Sequence, residues 1–98
     1  MIDKPLFVPL KTEFYEAFVN GTKDTEYRRY GPGWHEGTCW VGRPVVISKG
    51  YGKQTRRKGI IRSFKIIHGS TLPGDAVEKC YGTKDIELAA IGIDLYER

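Results

Sequence analysis

A lysine, a glutamate and an arginine stand close together in the segment Gly21-Thr22-Lys23-Asp24-Thr25-Glu26-Tyr27-Arg28. Residues 25–29 alternate as in a β-strand, and successive side chains of a strand point to opposite faces, so Glu26 and Arg28 share one face. Lys23 lies at the turn just before them. Two cations and a carboxylate can hold a phosphate or the polar edge of a base, although the same groups also form purely structural ion pairs.

The elements that must position this patch can be predicted from local patterning. Phe14 and Phe18, at i and i+4, give one apolar helix face and are expected in the core. Thr12 is expected to cap the helix start, and Asn20-Gly21 is expected to end the helix. The run 5–10 is apolar and bounded by prolines, which lack an amide donor, so it predicts a strand at a sheet edge.

The rest of the chain reads as strands joined by glycine-rich connections. Residues 43–49, 59–67 and 86–96 are apolar-patterned and predict three further strands. Residues 50–58 predict a long, flexible, basic hairpin connection, and residues 75–81 predict one or two helical turns. Patterning alone therefore indicates a β-rich α+β protein, and 98 residues suit one domain spanning residues 1–98.

The spacing Gly21, Lys23, Glu26, Arg28 after a short helix, in a chain with this element order, resembles the ASCH family. The fold of that family is similar to the PUA β-barrels of RNA-modification proteins. The resemblance implies a small PUA-like β-barrel of five to six strands, with one N-terminal helix and room for a second short helix. The resemblance also favours a functional site at Lys23, Glu26 and Arg28 over a purely structural salt bridge.

Charge is segregated along the chain even though the net charge is only +4. No acidic residue occurs between Glu36 and Asp75, a span that holds half of the sixteen basic residues. Such segregation produces a positive face, which is either solvated surface or a docking face for a polyanion. The hairpin region contributes most of it, together with one aromatic residue: Tyr51, Lys53, Arg56, Arg57 and Lys58.

RNA, another single-stranded nucleic acid, or a nucleoside or nucleotide is the partner that these features favour. Lys23 and Arg28 are expected to hold phosphate or a base carbonyl, and Glu26 to orient them or accept from an exocyclic amine. Tyr30 or Trp34, in or beside a Gly/Pro-rich loop, would stack on a base, while the hairpin cations follow the backbone. The alternative for Trp34 is that it plugs one end of the barrel.

Two enzymatic alternatives remain open. One branch of ASCH-like proteins removes the acetyl group from N4-acetylcytidine and related cytidines with a lysine, a threonine and a glutamate. Lys23 falls on that lysine, and a lysine can act as a base or a nucleophile. Glu26, however, stands where the threonine is needed, and Thr25 is one residue out of register. An amidohydrolase would therefore rely on Lys23 and Glu26 as its catalytic pair.

Ribonuclease activity is the other enzymatic alternative. RNA cleavage without a metal needs an acid, a base and a cation near the phosphate, and Tyr51, Lys53, His35 and His68 are the candidates. No Cys-x-x-Cys or other metal-ligand spacing occurs, so neither a metal nor another cofactor is expected.

Other features bound the location of the protein. No apolar run approaches the roughly 20 residues that span a bilayer, so no membrane segment is expected. The start of the chain lacks an apolar leader segment, which favours a cytoplasmic protein. Cys39 and Cys80 are then expected to be reduced thiols, with Cys80 packed as a small apolar group.

Overall fold

The protein is described by a computed structural model that covers residues 4–97. The chain forms a curled five-stranded half-barrel with two α-helices, which confirms the expected small α+β barrel. In chain order the elements are β1 Leu6–Leu10, α1 Thr12–Val19, β2 Thr25–Arg29, β3 Pro44–Lys49, β4 Arg56–His68, a 3-10 turn Gly69–Thr71, α2 Ala76–Tyr81 and β5 Glu87–Leu95.

The sheet has the strand order β1-β3-β4-β5-β2, so β1 and β2 are its two edges. Strands β1 and β3 pair in parallel, and the other neighbours pair antiparallel. The edge position of β1 agrees with its prolines, since Pro9 has no amide to donate to a second neighbour. The strand that carries Glu26 and Arg28 is thus the opposite edge of the same sheet.

Strand β4 gives the sheet its curl. Its first residues pair with β3 and its remaining length pairs with β5, with an irregularity in register between Ile61 and Ser63. A bulge of this kind increases local twist and bends the sheet. Gly59 is buried against the backbone carbonyl of Asp94, so β4 and β5 approach closely at a position where a Cβ would collide. The curl brings the two edge strands toward each other.

The core lies between the concave face of the sheet and α1. Strands supply mainly β-branched residues and the helix supplies Tyr15 and Phe18, both at least 98% buried. The main core members are Val8, Leu10, Tyr15, Phe18, Cys39, Val45, Ile47, Ile61, Ile91 and Ile93. These side chains fix α1 on the sheet, and its C-terminal end therefore leads directly to β2.

Three details of α1 and α2 differ from the sequence expectation. Lys11, not Thr12, is the N-cap, because Thr12 already has helical geometry. Phe14 is 39% exposed rather than in the core, since this short helix turns Tyr15 and Phe18 inward instead. Cys80 is exposed on α2, whereas Cys39 is buried, and both are free thiols.

The basic connection is shorter than predicted. Strand β4 begins at Arg56, because the antiparallel ladder with β3 extends to the pair Ser48–Arg56. Arg56, Arg57 and Lys58 are therefore held on a strand, and only residues 50–55 connect β3 to β4. Within residues 4–97, neither helix is long and apolar enough to cross a membrane.

Candidate functional site

Arg28 closes the gap between the two edge strands. Its Nη2 donates to the carbonyl oxygen of Pro9 at 2.6 Å, which links β2 to β1 by a side chain rather than by a backbone ladder. Its Nε donates to Glu26 Oε2 at 2.8 Å. The Trp34 ring packs against the guanidinium, with Cζ 4.6 Å from the ring centroid. Three contacts therefore fix the Arg28 side chain at the seam of the half-barrel.

Glu26 is a nearly buried carboxylate, with 7% of its surface exposed. One oxygen accepts from Arg28, and the other lies 3.6 Å from Lys23 Nζ. A buried charge is tolerated only when it is paired and hydrogen-bonded, and these two cations meet that requirement. The sequence expectation that Lys23, Glu26 and Arg28 converge on one patch is realised in this geometry.

Lys23 reaches the patch because of the way α1 ends. Gly21 has a φ of 84°, a left-handed conformation that glycine adopts without strain, and the amide of Lys23 donates to Ala17 O at 3.1 Å. The Lys23 ammonium then lies near the faces of three aromatic rings: 5.3 Å from Phe14, 5.4 Å from Tyr27 and 5.7 Å from Phe18. Cation–π contacts of this kind stabilise a positive charge.

Lys23, Glu26 and Arg28 line one cavity of about 380 Å³, hereafter the seam cleft. The cavity is open to solvent, and most of its other wall residues are apolar. They come from the end of β1, from α1, from the α2 region and from β5: Pro9, Leu10, Lys11, Phe14, Tyr27, Leu72, Ala76, Val77, Cys80, Tyr81 and Leu88. An apolar hollow with a few convergent polar groups is the usual form of a small-molecule site.

Tyr30 and Trp34 do not line the seam cleft. Trp34 packs against the core and against the Arg28 guanidinium, so it helps to hold Arg28 in place without lining the cleft itself. The Tyr30 phenol donates to the Glu36 carboxylate. This bond holds the pKa of Glu36 below its ordinary value and, together with desolvation and nearby negative charge, raises the pKa of Tyr30. The pair fastens the loop that carries Trp34.

The hairpin residues form a second group. The tip carries Tyr51, which is 81% exposed, and Lys53 is also exposed. Arg56, Arg57 and Lys58 border a further cavity of about 530 Å³ with Tyr96 and Glu97. The hairpin adjoins the seam cleft: the amide of Gly50, at the start of the hairpin connection, donates to the carbonyl of Leu10, a wall residue of the cleft, at 2.8 Å.

The residues of the enzymatic alternatives are not gathered in the cleft. The Thr25 hydroxyl donates to Asp24 Oδ1 at 2.9 Å, and no serine or threonine among residues 4–97 lines the cavity. His35 accepts from the Gly37 amide within the loop, and His68 contacts Ser70 and Asp85 at the end of β4. No group of three or more His, Cys, Asp or Glu side chains in the described chain is arranged to hold a metal.

The sequence did not single out several wall residues of the cleft. Phe14 carried a helix-face signal, but the pattern did not distinguish the core from a cavity wall. Tyr81 and Cys80 lie on a predicted helix whose packing partner no local pattern specifies. The Pro9 acceptor is a backbone carbonyl, for which residue type gives no signal at all. These contacts are products of the tertiary fold.

Comparison with known proteins bears on the fold. No family model matches the chain, and no curated protein matches it. Among solved structures, the chain is similar to a mutant of the ZmASCH protein from Zymomonas mobilis, with a TM-score of 0.67 and 16% identity. The similarity covers 93% of this chain and 69% of that one. At this level of identity it shows a shared architecture.

Proposed function

We propose that this chain, whose fold is that of an ASCH-like domain, binds RNA, or a nucleotide derived from RNA, with one base in the seam cleft. The observation that carries the proposal is the cleft itself: Lys23, Glu26 and Arg28 line one solvent-open hollow whose remaining walls are largely apolar. Such a hollow accepts a flat ring and offers hydrogen bonds to its edge.

The polar wall suits the edge of a base. A nucleobase presents donors and acceptors side by side, and Lys23 Nζ and Glu26 Oε1 offer a donor and an acceptor 3.6 Å apart. Arg28 already bonds to Glu26 and Pro9, so it chiefly holds the carboxylate in place. We propose that Lys23 donates to a base carbonyl or a phosphate and that Glu26 accepts from an exocyclic amine.

The basic hairpin supports a ligand longer than one base. Lys53, Arg56, Arg57 and Lys58 have no carboxylate within 4 Å among residues 4–97. Unpaired cations on a strand and its turn can contact successive phosphates, and phosphate contacts dominate the affinity of proteins for nucleic acids. The hydrogen bond between the Gly50 amide and the Leu10 carbonyl joins the hairpin to a wall residue of the seam cleft.

Binding is favoured over amidohydrolysis for a chemical reason. The resemblance assigns the nucleophilic role to a threonine hydroxyl, and no Ser or Thr of the described chain lines the cleft. Lys23 lies against three aromatic rings and a carboxylate, contacts that suit a charged donor. Incubation with N4-acetylcytidine tests the point: release of acetate that Lys23→Ala abolishes would establish the hydrolase instead.

The binding test uses cytidine 5′-monophosphate and a single-stranded RNA octamer, each titrated at low and at physiological salt. We expect Lys23→Ala to weaken binding of both ligands about tenfold or more, which corresponds to about 1.4 kcal/mol. Octamer affinity should also fall steeply with salt, because counterions are released from the phosphates. Lys65→Ala is the matched control, since Lys65 is exposed and lies outside both cavities. Equal affinity of wild type and Lys23→Ala for both ligands would contradict the proposal.

A further inference from the structure

We infer that Phe7, Tyr51 and Arg56, hereafter the outer cluster, form a second contact surface that stacks the unpaired bases of a single-stranded RNA. The inference rests on the proposed function in one respect, namely that the ligand is nucleic acid. It goes further by making the ligand an oligonucleotide that leaves the seam cleft and crosses the outer face of β1 toward the hairpin.

The outer cluster consists of two exposed aromatic rings and the guanidinium of the half-buried Arg56. The ring centroids of Phe7 and Tyr51 are 6.3 Å apart, and their planes are inclined at 52°. Arg56 Cζ lies 5.0 Å from the Phe7 centroid. Phe7 is 37% exposed and Tyr51 is 81% exposed. An aromatic ring left this open on a soluble surface is available to stack on a base, and every base has a face to offer.

The pair Arg43 and Trp40 shows how an aromatic–arginine contact looks when its role is structural. Arg43 lies 4.7 Å from the Trp40 ring, but its Nη1 donates to Thr38 O and its Nε to Lys4 O. Arg56, by contrast, donates only through Nε, to Gly52 O at 3.2 Å. Its two terminal nitrogens have no hydrogen-bond partner within residues 4–97. Arg43 ties a loop together, whereas Arg56 keeps donors for a ligand.

Charge identifies the occupant of the outer cluster. The neighbouring Lys53, Arg57 and Lys58 also lack carboxylate partners within 4 Å in the described chain, and no acidic residue occurs between Glu36 and Asp75. Open aromatic rings among uncompensated cations match a polymer that alternates flat rings and phosphates. A duplex hides its base faces inside the stack, so the surface favours a single strand.

The outer cluster lies within reach of a ligand bound in the seam cleft. Phe7 and Pro9 are two residues apart on β1, which places their side chains on the same face about 7 Å apart. Pro9 lines the cleft and Phe7 belongs to the outer cluster. A strand with one base in the cleft therefore carries its next nucleotide over Phe7 and Tyr51.

The test measures binding of a fluorescently labelled uridine octamer and of cytidine 5′-monophosphate to the full chain. We expect Tyr51→Ala to weaken octamer binding roughly fivefold or more, and the double variant Phe7→Ser/Tyr51→Ala to weaken it further, because each substitution removes a ring on which a base stacks. Affinity for the mononucleotide should stay within about twofold. Trp40→Ala is the control and should leave octamer binding unchanged. Tyr51 is so exposed that the single variant tests the inference even if the double variant unfolds.

Three results would overturn the inference. The first is unchanged octamer affinity in Tyr51→Ala, and the second is a wild-type protein that binds duplex RNA as tightly as the single strand. The third is a double variant Phe7→Ser/Tyr51→Ala that no longer binds anionic phosphatidylserine vesicles, which the wild type binds, but still binds the octamer with wild-type affinity. Failure of the proposed function looks different. In that case Lys23→Ala leaves the affinity for both ligands unchanged, while the outer-cluster variants still lower the affinity for the octamer.

Discussion

The guanidinium of Arg28 donates to the carbonyl oxygen of Pro9 across a distance of 2.6 Å, and this bond spans the two free edges of the sheet. Backbone ladders close a full barrel, whereas this half-barrel is closed at that point by a side chain. The same guanidinium anchors Glu26, the acidic member of the seam cleft. Folding stability and the shape of the cleft therefore depend on one residue.

Replacement of Arg28 by alanine should be strongly destabilising. The change removes the link to Pro9 and leaves Glu26, at 7% exposure, with Lys23 as its single cation. Loss of one partner of a largely buried charged pair should lower the free energy of unfolding by about 2–3 kcal/mol. Urea denaturation measures the effect. Arg29→Ala, one residue along the same strand and exposed, should change stability by less than about 0.5 kcal/mol. Equal losses in the two variants would show that the seam contact is not stabilising.

The two phenylalanines of α1 should respond differently to truncation. Phe18 is 1% exposed, so Phe18→Ala opens a cavity in the core and should reduce stability by about 3–4 kcal/mol. Phe14 lies on the wall of the seam cleft and is partly exposed, so Phe14→Ala should reduce stability by only about 1 kcal/mol. Nucleotide affinity should nevertheless fall in Phe14→Ala. Thermal unfolding and a nucleotide titration of both variants measure these effects. A Phe14→Ala variant less stable than Phe18→Ala would contradict this assignment.

Two glycines of the curled sheet provide a test of its packing. A Cβ at Gly59 would collide with the backbone carbonyl of Asp94, which cannot move without breaking the ladder between β4 and β5. A Cβ at Gly92 would instead meet the side chains of Ser63 and Arg62, which can rotate away. We expect Gly59→Ala to lower stability by about 2–3 kcal/mol and Gly92→Ala by about 1 kcal/mol. The reverse order in chemical denaturation would contradict the described approach of the strands.

The Tyr30–Glu36 pair gives a prediction about pH. The hydrogen bond from Tyr30 is the main cause of the lowered pKa of Glu36, so Tyr30→Phe should return that pKa toward its ordinary value. A depressed carboxyl pKa contributes stability above the unfolded value, and that contribution is lost as pH falls through the folded value. Carboxyl ¹³C shifts followed through an acid titration measure the change. Tyr96→Phe serves as control, and identical Glu36 midpoints in wild type and Tyr30→Phe would show that the bond does not form in solution.

Local patterning predicted the elements that carry the site. Alternation around Glu26 and Arg28 indicated their common strand face, and Asn20-Gly21 correctly marked the helix end that delivers Lys23. These predictions succeeded because helix termination and strand alternation depend on residues close together in the chain. The barrel fold was predicted from the resemblance to the ASCH family, and the solved structure of similar fold supports it.

Long-range packing was not predictable in the same way. The pattern at Phe14 and Phe18 gave a helix face but not the rotation of that face against the sheet, so Phe14 was wrongly expected in the core. The start of β4 at Arg56 depends on pairing with Ser48, a contact across the hairpin. The link from Arg28 to Pro9 joins residues 19 positions apart through a backbone oxygen. Such contacts follow from the whole topology rather than from any segment.

The most direct test of the central claim is to follow backbone ¹H–¹⁵N shifts while cytidine 5′-monophosphate is added. A ligand in the seam cleft should shift the amides of residues 23–28 together with those of α2, because residues of both segments line the cavity. Lys23→Ala should raise the ligand concentration at which these shifts saturate about tenfold or more, and Lys65→Ala should leave that concentration unchanged. Shifts confined to the hairpin, or no saturable shifts at residues 23–28, would contradict a nucleotide site in the cleft.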